Sequence, residues 1–365
     1  MKKQLAILTI LLISEIVVCQ NFYNKIDSIF QKKYEQDDFT GNVLIAEEGK
    51  IKYINTFGYA NLADSLKLDF NSIFELASVS KQFTAAAIAI LEQNNLVLAE
   101  SPISTYLPEL SHYSNVTISD LIHHTSGLPE YDEEDWTYDG KHFITNDSII
   151  AYLAQKKPKL HFEPNIKYEY SNTGYVLLAS IIERVSGKSF SDFLKEEIFE
   201  PVKMFHTQIY RRRYSPKTII NCAEGYVFSD SLTKNILPDK NPDFDYVIHL
   251  DGIQGDGMVN STLLDLLKWD RVLYENQLLN KAYQEKLFTP QILGDGTFNN
   301  YGYGWEIHDS NMGKIVSHSG GWPGYVTYIE RHLKTDKTII ILQNNFNNFS
   351  LPIKTIRKLL YKKKI

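Results

Sequence analysis

An almost wholly apolar stretch between Ser80 and Leu98 is the feature that most narrows the folds open to this chain. From Phe83 to Leu91 only Thr84 is polar. A helix without a polar face is buried on all sides, so the rest of the chain must wrap around it. The chain can supply such a core, because it has 365 residues of which 43% are apolar. This length suggests two domains or one elaborate domain, and the composition is not that of a disordered protein.

Segments with strand character lie on both sides of this helix. Val43–Ala46 and Ile51–Phe57 flank a turn that contains glycine, which predicts a β-hairpin. Apolar residues alternate again at Thr327–Arg331 and Thr338–Leu342, which predicts two later strands.

Helical patterns fill the middle of the chain and recur at both ends. They cover residues 24–33, 119–122, 176–185, 263–273 and 353–360. Strands near both ends with helices between them predict a sheet domain built from the two termini, with a helical domain inserted. We expect residues 21–97 and 285–365 to form the sheet domain, and residues 98–284 to form the mainly helical one.

The first twenty residues have the layout of a secretory signal peptide. Lys2 and Lys3 precede an apolar stretch that ends at Cys19 and is too short for a comfortable bilayer span, which needs about 20 apolar residues. We therefore expect a secreted or periplasmic protein without a stable membrane span. A lipid anchor on Cys19 is the alternative, although Val17–Val18 poorly matches the small residues expected before a lipidated cysteine. Cys222 would then be left without a disulfide partner.

The formal net charge of −6 argues against a nucleic-acid partner, since phosphate binding depends on a basic surface. We therefore expect the run Arg211-Arg212-Arg213 to be a solvated loop.

His123 and His124 are adjacent, so their side chains point apart, and no matching third ligand is evident. The sequence therefore predicts no metal site.

Ser78 and Lys81 lie at the start of the apolar helix, where the extended segment Ile73–Leu76 meets it. A serine and a lysine three residues apart share one helix face, and an amine kept partly neutral by burial can activate a serine as a nucleophile. Ser78 could instead be an N-cap beside a solvated lysine, and Ser231 and Lys234 repeat the spacing in a polar loop. A lysine on a buried helix needs a polar partner, which favours the nucleophile.

Two further short motifs could border a cavity. In Tyr170-Ser171-Asn172 a tyrosine and an asparagine two residues apart can both point into one cavity, and in His318-Ser319-Gly320-Gly321 the glycines allow a ligand to approach the backbone closely. Each motif alone also has an ordinary structural explanation, namely a core aromatic residue with a turn, or a structural histidine.

Taken in order, Ser78-x-x-Lys81, Tyr170-x-Asn172 and His318-x-Gly320 resemble the motifs of the serine β-lactamase and penicillin-binding-protein superfamily, in its class C-like branch. The resemblance covers nearly the whole chain after residue 20. It implies an α/β (α+β) fold of the β-lactamase/transpeptidase type, with an antiparallel sheet flanked by helices and an inserted helical domain. It also implies an exported serine hydrolase that forms an acyl-enzyme on a small-molecule or peptide substrate, with no metal or organic cofactor.

The resemblance assigns roles to the motif residues. Ser78 would attack a carbonyl, with Lys81 and Tyr170 as the proton-transfer pair. Tyr170 would need a pKa well below its usual value of about 10, which nearby cations can promote. Backbone N–H groups of Ser78 and Gly321 would form an oxyanion hole, and Asn172 would hold Lys81 and the substrate amide.

The third motif, His318-Ser319-Gly320, would lie along the substrate and departs from the Lys-Thr-Gly of many β-lactamases. A lysine is a permanent cation that can hold a β-lactam carboxylate, whereas histidine titrates near pH 6.5. The resemblance thus implies D,D-peptidase, D-aminopeptidase or esterase-like activity ahead of β-lactamase activity. If His318 tunes substrate binding, activity should change between about pH 5.5 and 7.5. The alternative function is a catalytically silent penicillin-binding-like sensor that keeps the pocket.

Overall fold

The structure is a computed structural model that describes residues 22–133, 136, 140–347 and 350–361. The predicted signal peptide, Cys19 and the basic tail after residue 361 lie outside these residues. The helices are α1 (22–35), α2 (Lys81–Gln93), α3 (Ile118–Ile122), α4 (Asn146–Lys156), α5 (Asn172–Ser186), α6 (Phe190–Leu194), α7 (Tyr246–His249), α8 (Leu263–Val272), α9 (Lys281–Leu287) and α10 (Ile353–Leu360).

The strands are β1 (Gly41–Glu47), β2 (Lys50–Phe57), β3 (Tyr59–Asn61), β4 (Leu66–Lys67), β5 (Phe74–Glu75), β6 (Gln208–Ile209), β7 (Val227–Ser229), β8 (Lys234–Ile236), β9 (Val259–Ser261), β10 (Gln291–Ile292), β11 (Phe298–Asn299), β12 (Glu306–Ser310), β13 (Gly313–Trp322), β14 (Tyr325–His332) and β15 (Lys337–Gln343). Six of them form the main sheet, in the order β12-β13-β14-β15-β1-β2, and every neighbouring pair is antiparallel. The two ends of the chain meet where β1 pairs with β15.

The side chains of each strand point alternately to the two faces of this sheet, and both faces are covered by other parts of the protein. Val43 and Ile45 pack with Ile26 of α1 and Ile356 of α10 on one face. Leu44 and its neighbours on the other face belong to the larger core that surrounds α2. The α/β (α+β) fold predicted from the sequence, an antiparallel sheet flanked by helices, is confirmed. The domain boundaries at residues 97 and 285 stay a prediction.

Helix α2 is as buried as its sequence predicts. Every residue from Lys81 to Glu92 is buried, and the helix packs against α5, α6 and α9. It ends at Gln93, earlier than the apolar pattern alone indicates, because Asn95 adopts a left-handed φ of 57° that a helix cannot continue through. Because these residues are buried, the N-terminal end of α2, which carries Lys81, lies inside the protein.

The prediction that Arg211-Arg212-Arg213 is a solvated loop was wrong. Arg212 donates to the hydroxyl of Tyr325 at 3.0 Å, and Arg213 pairs with Asp239 and, at 3.2 Å, with Asp251. The run is packed against the protein because carboxylates from other segments, among them the buried Asp251, pair with its guanidinium groups, which local composition does not reveal.

Within the part of the chain that the structure describes, none of the helices combines the length and the apolar character needed to cross a bilayer.

Candidate active site

Ser78 lies on a single turn of 3-10 helix, Ala77–Ser80, that leads directly into α2. Ala77 has a φ of 48°, a left-handed conformation that residues with a Cβ rarely adopt. Strand β13 presses against this turn at Gly320, where a Cβ would overlap the carbonyl oxygen of Leu76 and lie 3.1 Å from the backbone nitrogen of Ser78. Glycine at this position is therefore what allows the third motif to lie beside Ser78.

Lys81 brings the first two motifs together. Its side chain is buried, and Nζ donates to Oγ of Ser78 at 3.2 Å, to Oδ1 of Asn172 at 2.9 Å and to the backbone carbonyl of Asp256 at 3.0 Å. Three acceptors match the three N–H bonds of an ammonium group. Burial lowers the pKa of Lys81 to about 8, so an appreciable fraction is neutral near neutral pH.

The loop that supplies the third acceptor is held by the one polar residue of the apolar stretch. The hydroxyl of Thr84 donates to the carbonyl of Gly255 at 2.6 Å. A Cβ at Gly255 would overlap the carbonyl oxygen of Tyr175 in α5, so glycine allows this loop to lie against that helix. The next residue, Asp256, is thereby brought to Lys81.

Tyr170 lies beside Lys81, whose Nζ is 4.9 Å from the centre of the tyrosine ring. Burial raises the pKa of Tyr170 well above its usual range, and Asp256 and Glu130 raise it further, although a hydrogen bond with Ser78 lowers it. The expectation that nearby cations lower the pKa of Tyr170 was wrong, because carboxylates and burial outweigh the single neighbouring ammonium. Tyr170 is therefore a neutral hydroxyl here, and Lys81 is the better proton acceptor.

Asn172 is the first residue of α5, and two carboxylates fix it. Its backbone N–H donates to Oε2 of Glu130 at 2.7 Å and its amide nitrogen donates to Oδ2 of Asp132 at 3.3 Å. Because the amide nitrogen faces Asp132, the amide oxygen is left to face Lys81. The α5 N-cap, Ser171, accepts a hydrogen bond from the backbone N–H of Gly174.

The ring of His124 packs against the ring of Tyr170, a role that the sequence interpretation missed. It is fully buried, its ring centre is 4.3 Å from that of Tyr170, and Nδ1 accepts the backbone N–H of Ser171 at 3.0 Å. Burial keeps the pKa of His124 well below its usual value, so the ring is neutral. No cluster of three or more His, Cys, Asp or Glu suitable for a metal ion is found among the described residues. The sequence does place His124 at a helix end, before a turn at Thr125-Ser126-Gly127 near the rim of the site, and that position is the signal from which its role could have been found.

His318 is 2% exposed and bound on both ring nitrogens. Nδ1 lies 2.6 Å from the carbonyl oxygen of Ser319, and Nε2 lies 2.8 Å from the hydroxyl of Tyr301. A carbonyl only accepts, so Nδ1 carries the hydrogen and Tyr301 donates to Nε2. Burial, with the nearby charge of Lys81, lowers the pKa of His318 to about 4. The expected titration between pH 5.5 and 7.5 was therefore wrong, and His318 is neutral throughout that range.

Ser78, Asn172 and Gly321 open onto a cavity of about 550 Å³. Ser319 is exposed on β13 opposite Tyr328 and is not among the described residues that line this cavity. Ser78, Lys81, Tyr170 and Asn172 thus meet around one ammonium, and Gly320 lies against the backbone of Ser78. Gly321 lines the cavity, His318 is buried behind it, and Ser319 points away from it.

Comparison with known proteins shows what this chain is similar to. The beta-lactamase family model matches residues 26–362. Penicillin-binding protein 4* of Bacillus subtilis (strain 168) is 44% identical over 329 residues, which are 89% of this chain and 72% of that protein. Teichoic acid D-alanine hydrolase of Staphylococcus aureus is 28% identical over 272 residues, which are 74% of this chain and 60% of that protein.

A solved structure of a class C beta-lactamase shares the fold. It superposes with a TM-score of 0.74 at 19% identity and covers 94% of this chain and 97% of that one. The family model and the Bacillus subtilis relative confirm the resemblance inferred from the three motifs, which supports a serine hydrolase. The chain belongs to the beta-lactamase family, within the superfamily of serine β-lactamases and penicillin-binding proteins.

Proposed function

We propose that this protein is an exported serine hydrolase of the class C-like branch that forms an acyl-enzyme through Ser78 on an amide or ester. The observation that carries the proposal is the contact between Nζ of Lys81 and Oγ of Ser78, made by a lysine whose pKa is lowered by burial to about 8. An amine that is partly neutral at neutral pH and touches a serine hydroxyl has the geometry of a general base.

The proton path follows from the protonation states of the site. Neutral Lys81 takes the proton of Ser78 as Oγ attacks the carbonyl carbon, and the backbone N–H groups of Ser78 and Gly321 hold the developing oxyanion. Tyr170 donates its hydroxyl proton to the leaving oxygen or nitrogen and receives one from Lys81, so the leaving group departs neutral. Water then attacks the acyl-enzyme, gives its proton back through the same groups and restores Ser78.

The substrate proposed is an amide or ester of the kind that D,D-peptidases, D-aminopeptidases or esterases hydrolyse, ahead of a β-lactam. Neutral His318 supplies no cation for the carboxylate of a β-lactam at the third motif. The relative named as a teichoic acid D-alanine hydrolase supports a substrate that carries D-alanine as one such substrate.

A fluorescent serine-directed acylating probe tests the proposal. Labelling of the wild type and loss of labelling in Ser78→Ala are expected, together with Ser78-dependent hydrolysis of an activated ester. Ser231→Ala is the matched control, because Ser231 has the same spacing to Lys234 but lies between β7 and β8, outside the cavity. Absence of both labelling and turnover would indicate that the protein is not an enzyme but a catalytically silent penicillin-binding-like sensor.

Export is tested separately by the mass of the protein recovered outside the cytoplasm. Loss of about the first twenty residues is expected, and a mass increase from lipid on Cys19 would instead indicate anchoring.

A further inference from the structure

Glu75 places an unpartnered carboxylate in the wall of the catalytic cavity. It lies on β5, three residues before Ser78, and lines the same cavity although it is only 8% exposed. Among the described residues, no hydrogen bond or ion pair reaches its side chain. Its oxygens are not among the fully enclosed polar atoms that lack a partner, so they are open to the cavity, where a ligand can supply the donor that the protein does not.

The nearby cations do not fill this role, because they have other partners. Arg212 donates to the hydroxyl of Tyr325 at 3.0 Å and lies 3.6 Å from Glu224. Arg213 pairs with Asp239 and lies 3.2 Å from Asp251. Both guanidinium groups attract Glu75 at longer range only.

The remaining charges on the cavity wall are also negative. Asp132 and Asp256 line the cavity with Glu75, and no lysine or arginine is among the described residues that line it. Asp256 accepts the hydroxyl of Tyr131 at 2.7 Å, and Asp132 accepts the amide nitrogen of Asn172 at 3.3 Å. A substrate with a carboxylate would meet only repulsion from these groups, whereas a cation would be attracted.

Aromatic rings complete the wall around these carboxylates. Trp136, Tyr246, Trp322 and Phe346 line the cavity, and the rings of Tyr246 and Trp322 meet edge to face at 5.7 Å. The faces of such rings attract cations and also pack against a small apolar side chain. Carboxylates beside aromatic rings therefore suit a small acyl group that carries an amine.

We propose that the cavity takes an aminoacyl ester or amide whose amino group is free, and that Glu75 binds the ammonium of that substrate. The proposal rests on the acyl-enzyme function proposed above and names the substrate class of the same site. A primary ammonium supplies the donors that Glu75 lacks. Acylation of the amine would remove its positive charge and with it the charge-assisted hydrogen bond to Glu75. N-acylated peptides and β-lactams are thereby disfavoured.

The test compares D-alanine p-nitroanilide with N-acetyl-D-alanine p-nitroanilide at pH 7.5, using the full chain. Wild-type kcat/KM is expected to be at least about tenfold higher for the free amine, as for one charge-assisted hydrogen bond. Glu75→Gln is expected to lower kcat/KM about ten- to a hundredfold for the free amine and to leave the acetylated substrate within about twofold. Glu224→Gln, a carboxylate outside the cavity wall, is the matched control and should keep the wild-type preference.

Two results would overturn the proposal. One is a wild-type kcat/KM for the free amine that does not exceed the value for the acetylated substrate, a comparison that does not depend on a variant being folded. The other is an equal loss on both substrates in Glu75→Gln. Ser78-dependent hydrolysis of p-nitrophenyl acetate separates the two levels: if it is present while the amine preference is absent, only this inference fails, and if it is absent together with probe labelling, the acyl-enzyme function fails as well.

Discussion

Nζ of Lys81 lies 2.9 Å from Oδ1 of Asn172, 91 residues further along the chain. Each residue is the first of its helix, so the contact joins the N-terminal ends of α2 and α5 at one point. Burial lowers the pKa of Lys81, and the partial positive charge of helix N-termini disfavours its ammonium in the same direction. The helix packing thus sets both the position of the amine and its protonation.

The rate of acylation of Ser78 should rise with pH and level off above about pH 8. Burial lowers the pKa of Lys81 to about 8, and only the neutral amine can accept the proton of Ser78. Below this pH the rate constant should fall about tenfold per pH unit. This pH dependence is measured as the second-order rate constant for an uncharged acylating probe between pH 6 and 10. A flat profile, or a midpoint near the usual lysine value of about 10.4, would contradict the assignment of Lys81 as the base.

His318→Gln is the control for this profile. Burial lowers the pKa of His318 to about 4, so the histidine is neutral over the measured range and its replacement should keep the midpoint near pH 8. A wild-type step between pH 5.5 and 7.5 that disappears in His318→Gln would show that His318 titrates near its usual pKa after all.

Gly320→Ala should damage the site more than its size suggests. A methyl group there would overlap the carbonyl oxygen of Leu76 and the hydroxyl of Thr327, so β13 must move away from the turn that carries Ser78. Overpacking of this kind costs about 1–3 kcal/mol, and a displacement of about 1 Å at a reacting group can cost about a hundredfold in rate. Denaturant unfolding and the acylation rate constant measure the two effects.

Gly257→Ala is the matched control for stability. A Cβ at Gly257 meets no atom within 4 Å, so this variant should keep the free energy of unfolding of the wild type within about 0.5 kcal/mol. If Gly320→Ala is acylated at the wild-type rate, the close approach of β13 is not what positions the site.

Several elements follow from local patterns. The run Val43–Ala46 beside a turn that contains glycine predicts a hairpin strand, and the apolar run after Lys81 predicts a buried helix. The order of the three motifs then indicates which residues meet, because that order resembles a known superfamily.

What the sequence did not reveal depends on contacts between distant segments. Tyr170 and His318 were expected to titrate near or below their usual values, but burial changes both pKa values in the folded chain. The role of His124 depends on Tyr170 and on the backbone of Ser171, which lie more than forty residues away. Glu75 is an ordinary strand residue in the sequence and becomes informative only when its carboxylate is seen without a partner.

Glu75→Gln should stabilise the fold at alkaline pH. Burial, with repulsion from Asp251, raises the pKa of Glu75 to about 7, whereas Arg213 and Arg212 lower it and Asp256 raises it. In the unfolded chain the pKa is about 4.3, so the protonated carboxyl favours the folded state below about pH 4 and this contribution is lost as the pH rises to about 7. Above that pH the ionised group costs the folded state on the order of 3 kcal/mol.

Glutamine has the shape of glutamate without the charge, so it removes this cost. The free energy of unfolding of Glu75→Gln should exceed that of the wild type by about 2–3 kcal/mol at pH 8 and differ little at pH 4, as measured by urea unfolding. Glu224→Gln, a half-exposed carboxylate paired with Arg212, should show no such gain. Equal stabilisation at both pH values would mean that the charge of Glu75 is not its cause. A gain confined to pH 8 would show that the wild-type chain carries a destabilising carboxylate in its catalytic cavity, as expected of a residue retained for ligand binding and not for folding.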